Sequence, residues 1–348
     1  MADLGSTSSL ALPRAATLAP AQPPSQSLLG NLLAQAARRP DLAFSVLATL
    51  TVLGLMAAYG VRPAVAMDAL GQPFQILGAF LAIVAIVRAP ALVKRWSPLA
   101  RRAYARALYQ GAIDFAPFVW LYIIYRSLRR MTDVLSIRSV EPLLVRIGER
   151  LFGTEPTFWI QQFASPWLTE VMTFAYALMF VYPLIILVLL HVRERRDLFR
   201  EVVLALLAIF FIGFLLYIFV PAQSPRLVYP LAYEPRHLTG VTGFYAFSER
   251  TWDAMQMITY DAFPSLHTGV STLSLLYAGA LGPVLWPRRP RALFFIFLPF
   301  VVALWLSTLY LRQHYVIDVF AGFAISFAVV WLCRRGLRSR GPGRSLAV

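Results

Sequence analysis

The chain has 348 residues, of which 59% are hydrophobic and 14% charged, with a formal net charge of +15. Soluble domains carry roughly 45–50% apolar and about 25% charged residues, so this chain has too little charge to coat a soluble globule and too much apolar content for general disorder. Its single cysteine, Cys333, excludes a disulfide scaffold.

Taken in chain order, the first 40 residues stand apart. Segment 2–27 is rich in Ser, Pro and Ala, lacks helical periodicity, and reads as a disordered cytoplasmic tail. It has no short apolar core behind a basic start, so it is not a signal peptide. A spanning helix needs about 20 mainly apolar residues. Charge-free stretches of this kind are Leu42–Val61, Ala69–Val87, Val171–Val192, Val202–Pro225, Leu266–Pro287 and Ala292–Leu311. Two more carry one acid each: Ala107–Tyr125 with Asp114, and His314–Cys333 with Asp318. The expectation is an all-α polytopic integral membrane bundle of about eight spans. Its divisions are a tail (1–40), two accessory helices (41–106), a main bundle (107–333) and a basic cytoplasmic tail (334–348).

The long loop Arg126–Pro166 holds six arginines, of which Arg126, Arg129 and Arg130 suit lipid headgroups. Within it, Glu141–Phe152 fits an interfacial amphipathic helix. Asp114 is expected to pair with an arginine or backbone group near the end of its span. His191 and His237 read as interfacial structural residues, and Cys333 as structural.

Basic residues set orientation. With the amino terminus inside, 21 of the 32 Lys and Arg residues fall on the inner side. Both termini are then cytoplasmic. The charge is an orientation signal, not a nucleic-acid surface.

Ionisable groups at membrane depth are functional candidates. In Phe263-Pro264-Ser265-Leu266-His267, Ser265 suits an N-cap, which sets His267 at a helix N-terminus where anions bind. A capped helix with an interfacial histidine explains that segment equally well. In Arg312-Gln313-His314-Tyr315-Val316-Ile317-Asp318, His314 and Asp318 are spaced i, i+4 on one helix face. A carboxylate on one ring nitrogen would free the other as nucleophile or base. Burying Asp318 in a span costs about 2.5–3.5 kcal/mol, more than a helix-stabilising pair returns. Arg226, in Pro221-Ala222-Gln223-Ser224-Pro225-Arg226, follows a span and can clamp phosphate; alone it reads better as an ordinary interfacial arginine. The alternation of spans brings Arg226, His267, Arg312, His314 and Asp318 to one membrane face. Two histidines and one aspartate could also bind zinc, but the adjacent Arg312 suits a phosphate pocket better.

These residues resemble the type 2 phosphatidic acid phosphatase superfamily, whose motifs read Lys-x6-Arg-Pro, Pro-Ser-Gly-His and Ser-Arg-x5-His-x3-Asp. The second corresponds to Pro264-Ser265-Leu266-His267, and the third to Ser307-Thr308-x5-His314-x3-Asp318. The wording is most similar to the branch with fungal inositol phosphorylceramide synthases. The resemblance covers roughly Ala107 to Cys333. The chain departs from the pattern in four places. No first-motif lysine is present, Pro225 precedes Arg226, Leu266 replaces glycine, and Thr308 stands where the third-motif arginine would be. On a continuing helix Arg312 would share the face of Thr308 one turn on and supply that guanidinium.

The resemblance implies a six-helix catalytic core and a two-step reaction with no metal or other cofactor. His314 attacks phosphorus to form a phosphohistidine, and Asp318 orients it. His267 protonates the leaving alkoxide, then activates the acceptor. Arg226 and Arg312 hold phosphate oxygens, and Ser265 offers its backbone N–H. The partners are the bilayer, a lipid phosphate or phospholipid substrate, and an alcohol or lipid hydroxyl acceptor. The site would face outward from the plasma membrane. An inositolphosphotransferase-like enzyme is the leading expectation. A phosphatidate- or polyprenyl-diphosphate-type phosphatase is the alternative. A transporter or inactive member is the rival, against which stands the absence of any inverted repeat.

Overall fold

A computed structural model describes residues 39–61, 98–134, 140–233, 237–256 and 258–338, with positions 78, 82, 85 and 86. Most of the expected span Ala69–Val87, the amino-terminal tail to residue 38, most of the carboxy-terminal tail and the side chains of Arg126, Arg129 and Arg130 lie outside the described residues. The described residues form a helical bundle. Its principal helices are α1 (Pro40–Ala58), α2 (Pro98–Val134), α3 (Glu141–Phe152), α4 (Pro166–Ala177), α5 (Val181–Val192), α6 (Arg196–Phe219), α7 (Phe244–Met255), α8 (Leu266–Ala280), α9 (Ala292–Tyr310) and α10 (Val316–Arg338).

Local chemistry sets many of these ends. Proline opens α1 and α4, where its missing N–H costs nothing. Gly153, at φ 79°, closes α3 in the left-handed conformation and donates its amide to Glu149 O. The expected amphipathic helix Glu141–Phe152 forms with those bounds. Asp114 pairs, as expected, with an arginine: Arg196 Nη1 lies 2.5 Å from its Oδ2, and Gln110 holds the other guanidinium nitrogen.

Among the described residues, six helical segments are long and apolar enough to cross a membrane: Pro40–Ala58, Tyr104–Tyr125, Pro166–Val192, Arg196–Phe219, Ala292–Tyr310 and Val316–Arg335. Leu47, Phe295, Phe327 and Trp331 point away from the bundle, as lipid-facing side chains do. The expected span Leu266–Pro287 is different. It is a 15-residue helix, α8, followed by a single turn at Gly282–Leu285. The reason is burial. α8 packs against α5, α6, α9 and α10, so it is interior and almost every side chain is buried. An interior helix tolerates hydroxyls that satisfy themselves locally. Ser271 and Ser274 return their hydroxyls to the carbonyls of His267 and Val270, both at 2.8 Å.

The tightest contact joins α8 to α10. Asp318, Gly322 and Ser326 recur every fourth residue and face the first turns of α8. Ser265 N donates to Asp318 O at 3.0 Å, and Ser326 Oγ to Gly269 O at 2.7 Å. A Cβ on Gly322 would sit 2.6 Å from Ser265 O, so only glycine permits this approach. Gly322→Leu is therefore expected to destabilise by about 1–3 kcal/mol or more, read as a lower melting temperature in detergent. Gly54→Ala, where a Cβ meets nothing within 4 Å, should leave the melt unchanged or slightly raised.

Candidate active site

Three loops meet at one end of the bundle, each following or preceding a buried helix. Backbone hydrogen bonds join them. Ala262 N donates to Ala222 O at 2.9 Å, Arg226 N to Arg312 O at 3.1 Å, and Ser265 N to Asp318 O at 3.0 Å. Buried loops must satisfy their backbone polar groups internally, and these do so by bonding to one another. The candidates from distant parts of the sequence are thereby brought together.

His314 is buried, with Nδ1 2.8 Å from the carbonyl oxygen of Ala262. A carbonyl only accepts, so Nδ1 carries the proton and Nε2 keeps its lone pair. This differs from the expected hydrogen bond to Asp318. Asp318 Oδ2 lies 3.6 Å from Nδ1 and accepts the Tyr315 amide at 2.8 Å. The carbonyl orients the ring, and Asp318 adds a nearby negative charge. His267 lies beside His314, with ring centroids 5.9 Å apart. Its other face stacks on Tyr176 at 3.8 Å, and Trp252 of α7 packs edge-on against that tyrosine at 4.8 Å.

Ser265 caps α8 as expected, its Oγ accepting from Thr268 N at 3.3 Å. Its own amide is not directed to a ligand as expected, because the Asp318 carbonyl takes it. Arg312 also departs from expectation. α9 ends at Tyr310, and Arg312 sits at φ 61° in the turn rather than on a continuing helix. Thr308 O there accepts the amides of both Gln313 and His314, at 3.0 and 3.1 Å. A non-glycine residue in this conformation costs about 1–3 kcal/mol and clusters at functional sites. Arg312 is nonetheless buried. Arg226 lies at the same end, its Nη2 on Asp253 Oδ1 at 2.6 Å and its Nη1 3.7 Å from Glu249 Oε1.

Several site residues left no signal in the sequence. Ala262 acts through its carbonyl, which no side-chain pattern reveals. Tyr176 is one aromatic residue in an apolar span. Asp261 precedes Ala262 and accepts from Gln256 Nε2 at 2.9 Å. Burial pushes its carboxyl up to about 6, against the lowering effects of His314, Gln256 and Arg226. Among the described residues, no group of three His, Cys, Asp or Glu side chains is placed to hold a metal ion.

Glu155 and Thr157 clamp the His314 loop from outside. Glu155 Oε1 accepts the Val316 amide at 2.9 Å, and Thr157 Oγ1 donates to Leu309 O at 2.9 Å. Both side chains are fully buried, and Gly148 of α3 has no room for a Cβ beside the Glu155 carboxylate.

The fold and the site together define a multi-pass helical membrane protein with a paired-histidine pocket at one end of its bundle. Residues 143–332, more than half of the chain, match the family model described as the PAP2 superfamily, and the chain belongs to that superfamily. The matched region contains all six candidate residues and begins after α2. The chain is also 36% identical over 72 residues to the inositol phosphorylceramide synthase catalytic subunit AUR1 of Saccharomyces cerevisiae, a match covering 21% of this chain and 16% of that relative. No solved structure matches. Family and relative support a membrane lipid phosphatase or phosphotransferase.

Burial pushes the Glu155 carboxyl up to about 7; the Val316 and Thr157 amides lower it, and Asp318 and Glu149 raise it. The native state therefore holds this proton more tightly than the unfolded chain. The group's contribution to stability is greatest in acid and falls as pH rises from the ordinary glutamate range through about 7. Glu155→Gln keeps the acceptor and removes the charge. It should melt higher than wild type near pH 8, by on the order of 2–3 kcal/mol, with the gap closing near pH 5. A gap that persists in acid would exclude the ionised carboxylate as its source.

Proposed function

We propose that the chain is an integral membrane lipid phosphotransferase, most like an inositolphosphotransferase, working through a phosphohistidine on His314. The observation that carries this reading is the pairing of His314 and His267, whose rings lie 5.9 Å apart at one end of the bundle. The Ala262 carbonyl on Nδ1 turns Nε2 into the nucleophile.

In the first step, Nε2 of His314 attacks phosphorus, a P–N bond forms, and the P–O bond to the leaving alkoxide breaks. Protonated His267 gives its proton to that oxygen. Asp318, 3.6 Å from Nδ1, stabilises the positive ring. Arg226 and Arg312 hold the non-bridging oxygens as charge builds on them. Ser265 supports the pocket by capping α8. In the second step neutral His267 takes a proton from the acceptor hydroxyl, whose oxygen attacks phosphorus and releases His314. The acceptor is an alcohol or lipid hydroxyl in a transferase; water in its place makes the same site a phosphatase. The route needs no metal or other cofactor. The arginine bias supports a site at the outer face of the plasma membrane, with both termini cytoplasmic.

Purified wild type given phospholipid with labelled phosphorus should accumulate acid-labile, alkali-stable label on the protein. His314→Ala should carry none and lose at least about 10³-fold in turnover. Turnover at the wild-type rate in His314→Ala would sink the mechanism. Supplying candidate alcohols and looking for a new lipid product separates transfer from hydrolysis.

A further inference from the structure

Arg226 is already charge-balanced within the protein. Its Nη2 donates to Asp253 Oδ1 at 2.6 Å, and Glu249 Oε1 lies 3.7 Å from Nη1. The two acids are four residues apart on α7, so one helix face presents both. α7 is held over the pocket by independent contacts. Trp252 packs on Tyr176, which stacks on His267, and Tyr245 donates its hydroxyl to Glu249 at 3.0 Å. The Arg226 Nε is buried and has no hydrogen-bond partner among the described residues. Part of the guanidinium is thus committed to α7, and the Nε–H is among the donors left for a ligand.

The pocket's charge balance follows. Against Arg226 and Arg312 stand Asp253, Glu249, Asp261 and Asp318. A phosphomonoester carries about −1.5 to −2 charges near neutral pH, whereas a phosphodiester carries one. A site in which Arg226 is already paired with two carboxylates matches the smaller charge.

We propose that Asp253 and Glu249 are specificity-determining residues: by holding and neutralising Arg226 they make the site select a phosphodiester monoanion over a phosphomonoester dianion. This rests on the phosphoryl-transfer reading above. The two acids are positioning residues that act through Arg226 without touching substrate.

The test uses the full chain in detergent micelles near pH 8, where a phosphomonoester is doubly charged. kcat/KM is measured on phosphatidate and on phosphatidylinositol for wild type, Asp253→Asn, Glu249→Gln and the double variant. Asp253 is 52% exposed, so the isosteric amide keeps the fold, and Glu249→Gln reads the same effect independently. Wild type should prefer phosphatidylinositol. Each single variant should raise the phosphatidate-to-phosphatidylinositol ratio roughly three- to tenfold, and the double variant further. An unchanged ratio in variants that still turn over phosphatidylinositol would overturn the proposal while leaving the histidine mechanism intact. So would a wild type that prefers phosphatidate. A His314→Ala chain as active as wild type would instead overturn the underlying mechanism.

Discussion

The hydrogen bond from the Ser265 amide to the Asp318 carbonyl, 3.0 Å long, is the contact on which the site depends. It ties the start of α8 to the first turn of α10, and those two starts carry His267 and Asp318. Gly322 makes it possible, because a side chain there would strike Ser265 O. In water such a bond contributes modestly. Both residues are fully buried, and a buried amide left unsatisfied costs about 1–3 kcal/mol, so the bond becomes an architectural requirement. The Ala262–Ala222 and Arg226–Arg312 backbone bonds extend the principle to the third loop. Three chain segments far apart in sequence are held in one arrangement because their backbone groups have each other as partners.

That economy determines what each residue can do. The Ser265 amide is used in the fold, so Ser265 serves the pocket by its cap rather than as a ligand donor. Ala262 donates to Ala222 and accepts from His314, so one small residue sets both the loop and the imidazole tautomer. Arg312 occupies a left-handed turn two residues before His314, and it is buried. Glu155 and Thr157 grip the His314 loop on either side, which leaves that loop little freedom. The surrounding rings add to this: Tyr176 lies flat on His267, and Trp252 lies against Tyr176.

Much of this was legible in the sequence, for identifiable reasons. Apolar runs of membrane-spanning length mark helices because the bilayer sets that length. Six of the charge-poor runs correspond to helices long and apolar enough to span, among them Leu42–Val61, which matches α1 with nearly the same bounds. The pairing of Asp114 with an arginine followed from the cost of burying a lone charge. The proximity of His267 and His314 followed from the alternation of spans. Expectations that depended on neighbours fared less well. Leu266–Pro287 reads as one continuous span by composition, whereas α8 ends at Ala280 and a separate turn follows at Gly282–Leu285. Arg312 looks like a helix position by spacing, but the chain turns after Tyr310. Asp318 does pair with His314 at i, i+4 spacing, 3.6 Å from Nδ1, but a carbonyl from another loop makes the closer contact.

The sequence by itself determined the solvent, the helical class and the small set of polar residues that had to lie at membrane depth. Those follow from composition and from spacing along a single helix, which are properties of one segment at a time. Only the tertiary structure decided which backbone group orients His314, which acids neutralise Arg226, and which helix is interior. Those outcomes depend on backbone carbonyls, close glycine contacts and ion pairs between segments tens to hundreds of residues apart, and no local pattern of side chains encodes them.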